Sequence, residues 1–256
     1  MEKLSVTIIT LNEEDNIRDA LESVKWAHEI IVVDSGSTDS TVDICREYTD
    51  KVIYNPWPGM NGQKAFAKEQ ASCGWLLNID ADERVSPELE VKIKTMLEKG
   101  PEYDGYFIPR RVWYLGSWID HSGWYPDYTL RLFKRDRGRW AGTDPHDKVV
   151  VEGTTSRLKE DIHHFTYKNV TDHINTMNRF TAVAAGEYEK KGKRAGFFNL
   201  VLRPPFTFFK KYILKQGFRD GLPGFVIAFS SAYYVFLKYV KLWELKNIER
   251  VKETGK

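Results

Sequence analysis

The chain opens on a β-branched run, Leu4-Ser5-Val6-Thr7-Ile8-Ile9-Thr10. A strand buried on both faces needs such a run. Apolar runs recur at 29–34 (EIIVVD) and 75–80 (WLLNID), with a shorter one at 51–54. Between them apolar residues return at helical spacing: Ile17, Leu21 and Val24, then Val42, Cys45 and Tyr48, then a stretch over 63–71. Asn12 is the expected N-cap of the first helix, and Ser37 or Asp39 that of the second. Ser86-Pro87 opens another helix in the favoured cap-and-first-turn order, with Leu89, Ile93 and Leu97 four apart. Strands alternating with helices predict a parallel sheet with right-handed crossovers.

From Tyr103 the pattern changes. Strands are expected at 106–113, 128–134, 149–153 and 162–165, and a helix at 168–191. Trp118, Trp124 and Tyr125 stand among Gly, His and Asp, a mixture that suits a binding site. The fold class expected is α/β, with an α+β region following the first hundred residues. Three parts are predicted: 1–100, 101–190 and a tail at 191–256.

Charge sharpens this division. The net charge of +2 conceals −8 in residues 1–100, zero in 101–190 and +10 in 191–256. The tail is also aromatic, with Phe197, Phe198, Phe206, Phe208 and Phe209 interleaved with Lys210, Lys211 and Lys215. Phe225 to Leu237 is uncharged for thirteen residues and is followed by Lys238 and Lys241. That run falls short of the roughly 18 residues of a spanning helix. Amphipathic helices lying on an anionic membrane surface are expected, with lysines at the headgroups. A helix pair buried against the body, with a basic outer face, is the other reading. No nucleic-acid partner is expected. Cys45 and Cys73 form neither a disulfide framework nor a metal spacing, and read as buried thiols. The first residues lead straight into a strand pattern, so no secretory signal is expected.

Candidate chemistry centres on Asn78-Ile79-Asp80-Ala81-Asp82-Glu83. Open α/β sheets bind ligands at the carboxyl ends of their strands. Strand alternation would point Asp80 and Asp82 to one side. Paired carboxylates suit Mg²⁺ or Mn²⁺ shared with substrate phosphates. Alone, an Asp-x-Asp pair reads equally as a solvated acidic turn.

Three strand ends taken together say more: Thr10-Leu11-Asn12-Glu13, Asp34-Ser35-Gly36-Ser37-Thr38-Asp39 and Asp80-Ala81-Asp82. Their spacing resembles the nucleotide-sugar domain of family-2 glycosyltransferases, which have the GT-A fold, a Rossmann-like domain with a mainly parallel central sheet. The resemblance implies that Thr10, Asn12, Glu13, Asp34 and Gly36 hold the nucleoside. Asp34 would accept the imide N–H of uracil, and Gly36 would allow close approach of the base. It further implies that Asp80 reaches ribose, that Asp82 ligates the metal, and that Lys64 and Arg131 face the diphosphate. Gln63-Lys64 matches a Gln-Lys-Asn segment of relatives, with Ala65 in place of the Asn.

Gly123 to Phe133, Pro145 to Val149 and Gly192 to Phe225 are similar to the subgroup containing β-glucosyltransferases of the lipopolysaccharide inner core. That similarity implies Asp127 as catalytic base, His163 as a further metal ligand, and Trp124, Tyr125 and His146 at the acceptor. His163 and His164 adjoin on an expected strand, so at most one of them would ligate.

The function so implied is inverting transfer of a hexose, glucose first, from a UDP-sugar to a lipid-linked saccharide. The location expected is the cytoplasmic face of the cell membrane, with peripheral attachment. A polyprenyl-phosphate or a protein side chain is the alternative acceptor. A sugar-nucleotide pyrophosphorylase would need a Gly-rich phosphate loop after the first strand, where Thr10-Leu11-Asn12-Glu13 stands. A membrane adaptor without catalysis would use only the tail.

Overall fold

The computed structural model describes residues 2–143 and 146–254. Its chain divides into two compact units, Met1–Arg111 with Pro126–Phe165, and Val112–Tyr125 with Thr166–Lys256. This division cuts across the expected boundaries at 100 and 190. The segment holding Trp118 and Trp124 groups with the C-terminal helices.

In the first unit, β1 (Leu4–Thr10), β2 (Glu29–Asp34), β3 (Val52–Tyr54) and β4 (Trp75–Asp80) pair in parallel in the order β3-β2-β1-β4. The connecting helices are α1 (Ile17–Glu22), α2 (Thr41–Arg46) and α3 (Met60–Glu69). A short β5 (Glu83–Val85) precedes α4 (Pro87–Lys99). The sheet is not parallel throughout. Beyond β4 it continues with β8 (Asp127–Lys134) and the first part of β6 (Gly105–Tyr114), each antiparallel to its predecessor. β11 (Thr155–Arg157) pairs with β6, and β12 (Ile162–His164) pairs antiparallel with β5. β9 (Gly138–Thr143) and β10 (His146–Val151) form a separate hairpin.

Period-2 alternation sorts the core onto two faces of this sheet. Leu4, Val6, Ile8, Leu77 and Ile79 pack with Ile17, Leu21, Leu89, Ile93 and Leu97 of α1 and α4. Ile9, Ile31, Val33 and Leu76 pack with Ala67 and Ala71 from the α3 side. Burial of each of the three large apolar side chains of α4 stabilises the unit by roughly 1.5–3 kcal/mol. That helix begins as expected: Ser86 Oγ accepts from Leu89 N at 3.2 Å, and Pro87 occupies the first turn. Cys45 and Cys73 are both buried and free.

The first helix starts later than expected. Asn12 adopts the left-handed conformation (φ 56°) instead of capping it, and the helix begins at Ile17. The side chain of Asn12 is committed elsewhere, as the site geometry shows.

In the second unit, Val112–Tyr114 pair with β7 (Ser117–Ile119). α5 (Val170–Lys190) is capped by Asn169, whose Oδ1 accepts from Asp172 N at 2.9 Å. Then follow a π-helical turn at Phe198–Leu202, α6 (Arg203–Phe209), a second π-helical turn at Lys210–Leu214, a 3₁₀ turn at Gly217–Asp220 and α7 (Gly221–Thr254). Gly224 lets α7 leave this turn tightly, since a Cβ there would lie 1.9 Å from the Gly217 carbonyl oxygen. The buried Asp220 carboxylate accepts from the backbone of Asp120 and His121 and meets His121 Nδ1 at 2.8 Å.

The tail differs from expectation in two respects. α7 is continuous, and 217–247 is long and apolar enough to cross a membrane by length and composition, with 28 % of its apolar window buried. The helix is longer than the uncharged run from Phe225 to Leu237 because Gly221 to Gly224 join it. Lys238 and Lys241 are also not free for headgroups. Lys241 Nζ donates to Asn178 O, Asn178 Oδ1 and Thr181 Oγ1 at 2.6–2.8 Å, and Lys238 Nζ lies over the Tyr188 ring. Both pin α7 to α5.

Candidate active site

Register places the three strand ends in one row. Thr10 pairs with Asp34 across β1 and β2, and Ile9 pairs with Asp80 across β1 and β4. The loops leaving them therefore emerge along one edge of the sheet, where α/β folds bind ligands.

The first two loops are stitched to each other. Asn12 Oδ1 accepts from Thr38 N at 2.8 Å, and Asn12 N donates to Ser37 Oγ at 2.8 Å. Glu13 N donates to Thr41 Oγ1 at 2.8 Å. The Asn12 side chain thus serves the loop pair, which is why it caps no helix. Asp34 is buried and its Oδ2 accepts from Gly36 N and Ser37 N at 2.8 and 2.9 Å, while Ser37 Oγ donates to its Oδ1. A carboxylate has about four lone-pair positions. Three are used by the turn, so one acceptor position remains. Gly36 has φ 103°, a conformation that a side chain would strain. Gln63, fully buried, donates to Ser35 Oγ at 2.9 Å and fixes the same turn from α3.

Around β4 the charges form a connected chain. Lys64 Nζ lies 2.9 Å from Asp80 Oδ1, and the Arg131 guanidinium donates to Asp80 Oδ2 at 2.8 Å and to Asn78 Oδ1 at 3.2 Å. Arg131 also donates to Glu83 Oε1 at 2.5 Å, and Glu83 Oε2 accepts from Asp80 N at 2.9 Å. Arg110 reaches Glu83 Oε1 at 3.4 Å and donates from Nε to Asp127 Oδ2 at 3.0 Å. Three cations alternate with three carboxylates, so the chain is neutral as a whole. Glu83 is fully buried, and Lys64 and Arg131 are 4 % exposed, whereas the Asp127 side chain is 48 % exposed. The chain thus runs from a buried end to a solvent-facing carboxylate. Burial alone would raise the Asp80 pKa, but Arg131 and Lys64 hold it well below the usual carboxylate range.

Asp80 and Asp82 therefore do not act as a like-charged pair. Asp80 is neutralised by its two cations. Asp82 lies in the turn beyond, with its Oδ2 3.1 Å from His164 Nε2. Burial would lower the His164 pKa, yet the hydrogen bond and charge of Asp82 prevail and raise it. His163, the expected metal ligand, stands opposite Arg84 on β5, one register step from the His164–Asp82 contact. Burial and Arg111 push its pKa below the usual imidazole value. The antiparallel pairing His164↔Glu83 and His163↔Arg84 decides which histidine reaches the strand end.

Lys64 and Arg131, expected at the diphosphate, are both turned onto Asp80. Thr10 is buried at the foot of the row. Trp124, expected at the acceptor, belongs to the second unit, where it packs against Tyr114 and Tyr167. Tyr125 closes the same segment of that unit. His146 begins β10, but its side chain lies outside the described residues, as does that of Asp147. Sequence reasoning gave no role to Glu83 or Arg110. Glu83 had a signal as the third carboxylate of the strand end. Arg110 had none, because its pairing depends on the β6–β8 register, which sets Arg110 opposite Asp127.

Comparison with known proteins agrees with this geometry. The family described as glycosyl transferase family 2 matches residues 5–152, more than half of the chain. The chain is 34 % identical over 248 residues to the lipopolysaccharide core biosynthesis glycosyltransferase LpsC of Rhizobium meliloti, covering 94 % of this chain and 92 % of LpsC. It is 34 % identical over 257 residues to an uncharacterized glycosyltransferase of Rickettsia typhi, covering 96 % and 88 %. The crystal structure of S. aureus TarS 1-349 in complex with UDP-GlcNAc is similar with TM-score 0.48 at 15 % identity, covering 99 % of this chain and 92 % of that one. On the family match and the near full-length relatives, the chain belongs to glycosyl transferase family 2, with the α/β fold of the GT-A type.

Proposed function

We propose that this glycosyltransferase moves a hexose, glucose first, from a UDP-sugar to a lipid-borne saccharide of the lipopolysaccharide-core kind, with inversion. The observation that carries the reading is the charge chain from Lys64 to Asp127 beside the Asp82–His164 pair, at the row of strand ends. The relative LpsC, named for lipopolysaccharide core biosynthesis, supports the acceptor class.

In this reading the stitched loops after β1 and β2 hold the nucleoside, and the remaining acceptor position of Asp34 takes the uracil imide N–H. Asp80 receives ribose hydroxyls and is kept ionised by Lys64 and Arg131, which act as positioning residues. Asp127 takes the proton of the acceptor hydroxyl as that oxygen bonds to the anomeric carbon. The bond from that carbon to the diphosphate breaks, and UDP leaves with the electron pair. Arg110 orients Asp127 while leaving its other oxygen open to the acceptor.

A divalent cation fits the residues present. Asp82 offers a half-buried carboxylate and His164 an imidazole nitrogen 3.1 Å away. Among the described residues no group of three metal-binding side chains forms. The protein would thus supply two ligands and the diphosphate the others, as is usual for Mg²⁺ or Mn²⁺. Such an ion would neutralise charge on the departing diphosphate.

The test is release of UDP by the full chain. UDP-glucose with a core-type lipid saccharide should give UDP and a β-linked product. Turnover with a polyprenyl phosphate and not with the saccharide would replace the acceptor assignment. No turnover with any UDP-sugar would favour a non-catalytic adaptor.

The same reading puts the second unit at the inner face of the membrane. Phe197, Phe198, Phe206 and Phe209 are 75, 59, 61 and 49 % exposed in a region of charge +10. Phe206→Ser with Phe209→Ser should weaken sedimentation with anionic vesicles by about two powers of ten at high salt, where charge attraction is screened and apolar insertion is not. Unchanged sedimentation at high salt would remove these side chains from the interface.

A further inference from the structure

The second unit contains a half-open cavity of about 290 Å³ bordered by α5, α6, α7 and the turn after α6. Its polar lining includes Lys211, His173, Thr207, Ser230, Ser231 and Tyr234. Met177 and Val235 complete an apolar wall. We propose that this cavity binds the phosphoryl group of an anionic amphiphile, with Lys211 as its counter-charge.

Three observations meet here. The first is an uncompensated cation. Lys211 is half-buried, and among the described residues it has neither an ion pair nor a hydrogen bond. Burial lowers its pKa, and Lys210 and Lys215 lower it further. Among the described residues no acidic side chain offsets these effects on Lys211, so the group that would relieve all three is an anion. A buried charge is normally paired.

The second is a set of donors without partners. Among the described residues, the hydroxyls of Ser230, Ser231 and Tyr234 have no hydrogen-bond partner. Tyr114 OH lies 2.7 Å from His173 Nδ1, which leaves Nε2 as the remaining polar atom of that ring. A phosphoryl group offers three acceptor oxygens and suits a lysine surrounded by hydroxyls.

The third is how Lys211 comes to be there. Lys215 N donates to Lys210 O at 2.8 Å, closing a widened π-type turn. Such turns redirect a side chain that a regular helix would place elsewhere. Phe206 and Phe229, 61 and 60 % exposed on α6 and α7, give the same helices an apolar outer surface. A phosphate attached to an apolar tail matches both features.

Two sources share this chemistry, a membrane phospholipid headgroup and a phosphorylated sugar of a lipid-linked acceptor. The second rests on the acceptor reading above, and the site itself does not. The test is calorimetric titration of the full chain with water-soluble short-chain phosphatidic acid and, separately, with a hexosamine phosphate. At least one should bind. Lys211→Met should weaken that binding about tenfold or more. Lys215→Met, at an exposed position of equal charge, should change it little. Tighter binding of phosphatidic acid assigns the membrane headgroup, and tighter binding of the sugar phosphate assigns the acceptor. Should Lys211→Met fail to fold, Ser231→Ala reads the opposite wall and should also weaken binding. Absence of binding by both probes, or equal losses in Lys211→Met and Lys215→Met, would overturn the proposal. UDP-glucose titration of the same samples reads the donor site separately, so failure of either reading is visible alone.

Discussion

Glu83→Gln is expected to lower the stability of the protein by about 3–5 kcal/mol. Glu83 is fully buried and is the acceptor for both Arg131 and Arg110. Glutamine keeps the shape and removes the charge. Two guanidiniums would then share a desolvated space with Asp80 alone at the buried end. Breaking a buried ion pair from one side costs far more than the net worth of the intact pair, because the remaining charge stays out of water. In a thermal melt the midpoint should fall by roughly 10 °C, given about 2–4 °C per kcal/mol for units of this size. A change below about 2 °C would mean that Asp80 and Asp127 satisfy both arginines unaided.

Asp127→Asn should do the opposite. It should leave the melt nearly unchanged and cut turnover by about two to four powers of ten. The Asp127 side chain is 48 % exposed, so its pair with Arg110 adds little to stability in water. Asparagine still offers an oxygen to Arg110 but cannot take a proton from the acceptor. Donor affinity should hold, since Asp127 touches no residue of the nucleoside loops. An equal rise in the donor Kd would show that Asp127 acts in binding, and near-normal turnover would move the base elsewhere. The two substitutions lie on one charge chain. Burial decides which of them breaks the fold and which breaks the chemistry.

The parallel half of the sheet was legible because each strand is an apolar run ended by polar residues. Leu4–Thr10, Glu29–Asp34 and Trp75–Asp80 begin and end as the pattern predicts. Of the antiparallel continuation, β6 and β8 were legible as apolar runs, whereas β5, β7 and β11 were not, being three residues each, and β9 lacks an apolar run of its own. The same limit governs the site. Asp34, Asp80 and Asp82 sit at strand ends that sequence can find. The choice of His164 over His163 turns on a register between residues some eighty positions apart, and one step would reverse it. Asn12 shows a further limit. Its side chain suits a helix cap, but the backbone N–H of Thr38 takes it instead. In the tail, charge does not equal exposure: Lys241 is held by Asn178 and Thr181, a contact that composition cannot reveal.

The central claim is that the row of strand ends binds a UDP-sugar with a divalent cation held at Asp82. Its most direct test is titration of the full chain with UDP-glucose, with and without Mn²⁺, for the wild type and Asp82→Asn. The account predicts cation-dependent binding in the wild type and loss of that dependence, with weaker binding, in a folded Asp82→Asn variant. Equal binding by both proteins, or binding indifferent to the cation in the wild type, would contradict it.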